Sequence, residues 1–179
     1  MKKALPNASP KQIYIFCDAS YDPQLNLGVT GFLCVEDNLT EVKLAEDFDV
    51  TFSTFQDTSI ARLELAGFLA ALDWVVTKFA GQHKVAITVY SDCKAVTALS
   101  SRRAKLEQNE FKSRRTCRPL ANADLYRKFF EVCDQFRPEI IWIKGHSPSK
   151  AKHLPEKFFT LVDRATRKSL RAKRESASI

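Results

Sequence analysis

Two apolar runs in this chain each stop on an aspartate, and that constrains the fold more than anything else in the sequence. Ile13-Tyr14-Ile15-Phe16-Cys17 leads into Asp18, and Val85-Ala86-Ile87-Thr88-Val89-Tyr90-Ser91 leads into Asp92. Runs of this length, rich in β-branched and aromatic residues, read as strands buried on both faces. A buried strand does not close on a carboxylate unless water reaches it or something neutralises it. One such aspartate is ordinarily a solvated turn residue. Repetition changes the reading: carboxylates brought to the same end of one sheet make a divalent-cation site.

The rest of the chain supplies further acids and the elements to carry them. Residues 29–36 read as a second strand after a turn-rich connection at Asp22-Pro23, and Asp37-Asn38 is a tight-turn candidate. Residues 42–55 alternate loosely and read as a third strand, so the first three strands form an antiparallel meander. Thr58 or Ser59 is the N-cap of a helix from Ile60 to Phe79 that Gly81 ends. Its apolar residues cover more than one stripe, which predicts burial over much of the circumference. Glu64 lies about one turn in, among apolar neighbours, where a carboxylate is costly unless paired, protonated or bound to metal.

Residues 85–91 are the fourth strand and 92–99 a short helix. The basic stretch 100–118 has no clean apolar period and is either a helix with a solvated face or a protruding loop. Pro119 suits a helix start, and an amphipathic helix runs on through Phe136 until Pro138 breaks it. Residues 140–144 are the fifth strand, followed by a polar loop to Pro155. Phe158, Leu161, Val162 and Ala165 carry the period of a last helix, with Asp163 beside its apolar face. The organisation expected is a tail at 1–12, one domain over 13–174 and a frayed end at 175–179.

Charge and cysteine usage narrow the function classes. Five cysteines, an odd count without a CxxC pair, argue against a disulfide framework and a structural zinc site. A reducing compartment, the cytoplasm, is the expected location. Nothing approaches a membrane span, and the N-terminal stretch has no apolar core of a secretory signal. The net charge of +7 is concentrated in two clusters. One holds Arg102, Arg103, Lys105, Lys112, Arg114, Arg115 and Arg118; the other holds Arg164, Arg167, Lys168, Arg171, Lys173 and Arg174. A charge run is usually a solvated face. Localised basic charge around several acids is instead the footprint of a nucleic-acid binder.

Five motifs in order resemble the type 1 ribonuclease H family over about residues 13 to 170. FCDAS looks like its first-strand aspartate signature and ARLELAGFLAAL like its first-helix motif. VYSDCKAV looks like the fourth-strand motif, WIKGHSPS like the strand and histidine loop, and LVDRATR like the last-helix motif. The segment before Pro119 resembles the basic protrusion of some members. The resemblance implies an α/β fold, RNase H-like, with a five-stranded mixed sheet in the order βββαβααβα and helices on both faces. It implies catalytic positions at Asp18, Glu64, Asp92, His146 and Asp163, with all but His146 as metal ligands. His146 would assist proton transfer or product departure. Arg102, Arg103, Lys105, Lys112, Arg114 and Arg115 would grip phosphates, and Ser20 and Ser59 would add backbone or phosphate contacts.

The chemistry of the residues agrees with that implication. Clustered carboxylates with few other ligands suit Mg²⁺ or Mn²⁺ rather than zinc. Two such ions roughly 3.5–4 Å apart activate water, stabilise a leaving oxygen and neutralise a phosphate. The activity implied is metal-dependent endonucleolytic cleavage of the RNA strand of RNA/DNA hybrids, by a monomer, with two ions present together with substrate. Family members that grip the RNA strand carry asparagine-type residues just before the first-helix glutamate. Here Ile60 and Ala61 stand there, which implies looser recognition of the 2′-OH. A non-catalytic nucleic-acid-binding module on the same fold need not retain four costly acids. A recombinase-type nuclease acting on DNA orders its acids differently.

Overall fold

The computed structural model describes residues 10–36, 39, 48–56, 58–80, 85–145 and 153–177. Strands β1 (Lys11–Asp22), β2 (Leu27–Glu36) and β3 (Thr51–Gln56) precede helix α1 (Ile60–Lys78) and strand β4 (Val85–Ser91). Helix α2 (Lys94–Thr97), a 3₁₀ turn (Ser100–Arg102) and helix α3 (Arg103–Gln108) come next. Helix α4 (Ala123–Phe136), strand β5 (Glu139–Trp142) and helix α5 (Leu154–Ala177) complete the described chain. The sheet has five strands in the order β3-β2-β1-β4-β5. β1 pairs antiparallel with β2 and parallel with β4, β2 pairs antiparallel with β3, and β4 pairs parallel with β5. The sheet is therefore mixed, with helices on both faces, as the α/β reading predicts.

Period-two alternation along β1 divides the core. Ile13, Ile15 and Cys17 pack with Leu65, Phe68 and Leu72 of α1 and with Phe129 and Phe130 of α4. Phe16 points the other way, into a cluster with Phe158, Phe159 and Val162 of α5. Its ring stacks on Tyr90 at 5.0 Å and on Phe158 at 5.3 Å. A Cβ built on Gly31 would lie 2.4 Å from Thr166 Oγ1, so the bare backbone of β2 is what lets α5 lie so close.

Several boundaries differ from expectation, each for a local reason. β1 does not stop at Asp18: it stays paired with β2 as far as Asp22↔Leu27, whereas its pairing with β4 ends at Phe16↔Tyr90. β3 starts only at Thr51, and residues 42–47 of the predicted strand lie outside the described residues. α1 is capped at Phe79, whose N–H donates to the Val75 carbonyl, and Gly81 lies outside the described residues. α2 begins two residues after Asp92. The basic stretch is a short helix followed by turns, with a β-bridge between Lys112 and Pro119. Leu120 N donates to the Phe111 carbonyl and ties Pro119 into that turn, so α4 begins at Ala123 instead. β5 starts one residue earlier than predicted and ends two earlier. α5 takes in Pro155 near its start, a position that tolerates the missing N–H, and continues to Ala177 rather than fraying at 175.

Candidate active site

Loss of one neighbour creates the site. Beyond Phe16, β1 keeps β2 as a partner but no longer pairs with β4, so the sheet opens between the two parallel strands. Asp18 sits at that opening, paired across β2 with Gly31. Asp92 leaves the end of β4, and Glu64 enters from the first turns of α1. One carboxylate oxygen from each of the three lies within 4.8 Å of the others. Asp18 and Glu64 are only 7% and 8% exposed, and Asp18 Oδ2 is fully buried without a hydrogen-bond partner.

Like charges in a dry pocket hold protons. Burial, with the charges of Asp163 and Asp92, pushes Asp18 up to about 7, against the Ala19 N–H and the Arg167 charge, which pull it down. Burial, then Asp18 and Asp92, pushes Glu64 up to about 9. Burial, then Glu64 and other acids of the cluster, raises the thiol of Cys17, and burial with Glu64 and Asp92 raises that of Cys93.

Neighbours from β5 hold Asp92. The Trp142 indole N–H donates to the Asp92 carbonyl at 3.0 Å, and Ile143 N donates to the Ser91 carbonyl at 3.0 Å. Ser91 is fully buried, and its Oγ accepts from Cys93 N at 3.1 Å. A Cβ on Gly145 would fall 2.3 Å from Asp92 Oδ2, so the chain after β5 passes against the carboxylate only because residue 145 has no side chain. Asp163, on α5, accepts from Arg167 Nε at 2.8 Å. It lies outside the group of three, yet its charge is the strongest acting on Asp18. His146 lies outside the described residues; His153 is exposed at the head of α5.

The other predicted contact residues are dispersed. Ser20 is half-buried on β1, opposite Val29. Ser59 is the N-cap of α1, its Oγ accepting from Arg62 N at 3.3 Å. In the basic segment, Arg103 forks onto Asp134 at 2.5 and 2.8 Å and reaches Glu107 at 2.7 Å. Those hydrogen bonds, Asp134 first, hold its guanidinium firmly protonated. Lys112 pairs with Glu110, and Arg114 Nε donates to Asn109 Oδ1 at 3.0 Å. Arg102 lies over the Tyr126 ring at 6.0 Å. Lys105 and Arg115 are exposed. A cavity of about 310 Å³ opens among Arg102, Lys105, Lys112 and Arg114, floored by Leu106 and Leu120.

Sequence reasoning passed over three supports. Phe111 anchors the basic segment, packed on Phe130 at 6.2 Å under the Arg127 guanidinium at 4.5 Å. Arg62 forks onto Asp124 at 3.0 and 2.6 Å and clamps α1 to α4. Trp142 and Gly145 fix Asp92; an aromatic within the predicted fifth strand and a glycine just after it are the available signal.

Comparison with known proteins points one way. A family model described as RNase H matches residues 10–167. A protein named Ribonuclease H, from Rippkaea orientalis (strain PCC 8801 / RF-1), is 25% identical over 142 residues, which cover 79% of this chain and 78% of that protein. Among solved structures, LC9-RNase H1, described as a type 1 RNase H with the type 2 active-site motif, superposes with a TM-score of 0.63 at 14% identity, covering 88% of this chain and 73% of that one. LC11-RNase H1, solved in complex with RNA/DNA hybrid, gives a TM-score of 0.57 at 12% identity, covering 88% and 99%.

Proposed function

The chain belongs to the ribonuclease H family and is a hydrolase of that type, and from this premise we propose that it cleaves the RNA strand of RNA/DNA hybrids with divalent cations held by Asp18, Glu64, Asp92 and Asp163. The observation that carries the reading is the gathering of three carboxylate oxygens within 4.8 Å around a buried, unpartnered Asp18 Oδ2. A pocket of oxygen donors with raised proton affinity fits a hard cation. A cation in place of those protons would neutralise the ionised acids and give Asp18 Oδ2 a partner. Mg²⁺ or Mn²⁺, as two ions when substrate is bound, would supply an activated water and charge neutralisation at the phosphate and the leaving oxygen.

The protein's own residues do the positioning. Asp18 and Glu64 would hold a cation in their charged forms. Trp142 and Gly145 keep Asp92 in register with them. Arg167 orients Asp163. His146, next in the chain to Gly145, is proposed as the group that moves a proton or helps product leave. His146→Ala should then lower kcat by about 10²–10⁴ while metal affinity stays put.

Selectivity rests on the start of α1. Ile60 is 46% exposed there and Ala61 is half-buried, and their apolar side chains offer no hydrogen bond to a 2′-OH. Ala61→Asn should sharpen preference for hybrid over duplex RNA or DNA by a contact of about 0.5–1.5 kcal/mol. Five free cysteines support a reducing, cytoplasmic setting for a monomeric enzyme, which light scattering tests. No helix among the described residues is long and apolar enough to cross a membrane. The decisive experiment offers labelled hybrid, duplex DNA, duplex RNA and single strands with and without Mg²⁺. Cleavage of the RNA strand of hybrid in preference to the other substrates, and only with the ion, is expected; metal-independent cleavage or none sinks the reading, and strict cleavage of hybrid alone removes Ile60 and Ala61 from selectivity.

A further inference from the structure

The second basic cluster lies on α5 and continues from the acidic site. Asp163, Arg167, Arg171 and Arg174 stand at i, i+4, i+8 and i+11, one face of the helix. Arg164 and Lys168 flank that stripe, and all five basic residues are exposed. The stripe therefore begins at the carboxylate that acts most strongly on Asp18 and runs on for about 16 Å, at about 1.5 Å per residue. It ends over the β1–β2 turn, where a cavity of about 380 Å³ opens between Arg171, Arg174, Leu170 and residues 21–24. The acid in that cavity is already engaged. Asp22 Oδ1 accepts from Gln24 N at 2.9 Å and Leu25 N at 3.3 Å, and Oδ2 meets Arg174 at 3.6 Å.

We propose that the arginine stripe of α5, with the cavity at the β1–β2 turn, is a second backbone-binding track that holds the nucleic-acid substrate beyond the cleavage site. This rests on the hybrid-nuclease reading and extends it. Repeated exposed guanidiniums along one rigid helix suit a regularly spaced polyanion. A membrane-surface helix would need an apolar face beside its basic one. The large exposed apolar side chains of the described residues are Leu25, Phe52, Ile60 and Trp142, none of them on α5. A reach of about 16 Å corresponds to about five base-pair steps at about 3.4 Å each.

The experiment compares Arg171→Gln/Arg174→Gln with its parent, both carrying Asp92→Asn so that a labelled hybrid survives. Affinity is measured across salt concentration, with hybrids shortened stepwise from either end. The slope of log K against log[salt] should fall in magnitude by about 0.9 for Arg171 and by less for Arg174, whose guanidinium must first leave Asp22, so by between about 0.9 and 1.8 for the pair. The difference should vanish once fewer than about five base pairs extend on one side of the cut. Arg171→Lys/Arg174→Lys should keep most of the slope. Unchanged thermal unfolding separates the effect from misfolding. A parent that binds no hybrid overturns this proposal together with the proposed function. A parent that binds hybrid, with a double variant of identical slope at every length, overturns the track alone. So does a variant that loses binding only to vesicles of anionic phospholipid.

Discussion

The acidic cluster and the basic segment at 100–118 stand at opposite ends of solvent exposure, and the fold treats their charges in opposite ways. Asp18 and Glu64 are buried beside Asp92 and next to Asp163, so same-sign groups are crowded where water cannot screen them. In the basic segment the cations are exposed, save the half-buried Arg103, and several already have acidic partners: Arg103 has Asp134 and Glu107, and Lys112 has Glu110. Exposed pairs of that kind contribute little, because water and salt screen them, and they form wherever sequence allows. Uncompensated acids in the interior are rarer, because each destabilises the unliganded fold. The chemistry of a ligand can therefore be read from the buried region, whereas the exposed one sets affinity and approach.

The largest expected effect breaks the buried side of that contrast. Asp92→Asn removes the negative charge of one of the three converging carboxylates while preserving shape. Loss of several kcal/mol of transition-state charge stabilisation, at about 1.4 kcal/mol per tenfold, corresponds to at least about 10³ in kcat. Circular dichroism should report an intact fold, and in EDTA the variant should melt higher than wild type, since one repulsive charge is gone. Cleavage at the wild-type rate would remove Asp92 from the mechanism.

Gly145→Ala tests how closely the cluster must be held. Its new Cβ would stand 2.3 Å from Asp92 Oδ2, so the carboxylate or the backbone after β5 must shift. A displacement near 1 Å at a reacting centre costs about 10²-fold in rate. The variant should stay folded and need more Mg²⁺ to reach its lower maximum. Wild-type kinetics at limiting Mg²⁺ would show that Asp92 has room to spare.

Protons provide the third test. The folded carboxyls of Asp18, about 7, and Glu64, about 9, lie above the ordinary range near 4. Groups raised in this way lend stability that is fully present below about 4 and is lost as pH rises through about 7 and then about 9. In EDTA, the thermal midpoint of wild type relative to Asp18→Asn should therefore fall across that window. Mg²⁺ should raise the midpoint of wild type more at pH 8 than at pH 5. A constant difference between the two proteins from pH 4 to 9 would mean that the acids are not repelling one another.

Much of this architecture was legible because burial leaves marks in sequence. The apolar runs before Asp18 and Asp92 disclosed two core strands, and the wide apolar coverage of 60–79 disclosed a helix buried on several sides. What the sequence hid was pairing. Asp18 lies inside a continuous strand, and only the end of the β1–β4 ladder at Phe16↔Tyr90 makes it a site. No local pattern records where a non-local ladder stops. The partners of Arg103 and Arg62 were equally hidden: Asp134 and Asp124 reach them across tertiary contacts between helices. The late start of α4 follows from a bridge between Lys112 and Pro119, within a turn where Glu110 and Phe111 both take left-handed backbone conformations.

The smallest expected effect concerns the exposed region itself. Arg103 and Lys105 are neighbours in sequence and equal in formal charge, and composition alone gives them equal shares in binding phosphate. The structure separates them. Arg103 forks onto Asp134 and Glu107, so to reach a phosphate it must first leave two carboxylates. Lys105 is exposed at the rim of the cavity that Arg102, Lys112 and Arg114 share. Releasing counterions from nucleic acid requires a cation that is not already matched. Lys105→Gln should therefore lower the salt slope of hybrid binding by about 0.9, whereas Arg103→Gln should lower it by much less. Arg103→Gln should act on the fold instead: it unlinks α3 from α4, and the thermal midpoint should drop slightly, as for other exposed ion pairs. Asp134→Asn supplies the complementary arm. By releasing one carboxylate from Arg103 it should steepen the salt slope, and equal slopes for all three variants would return the segment to a uniformly solvated basic face.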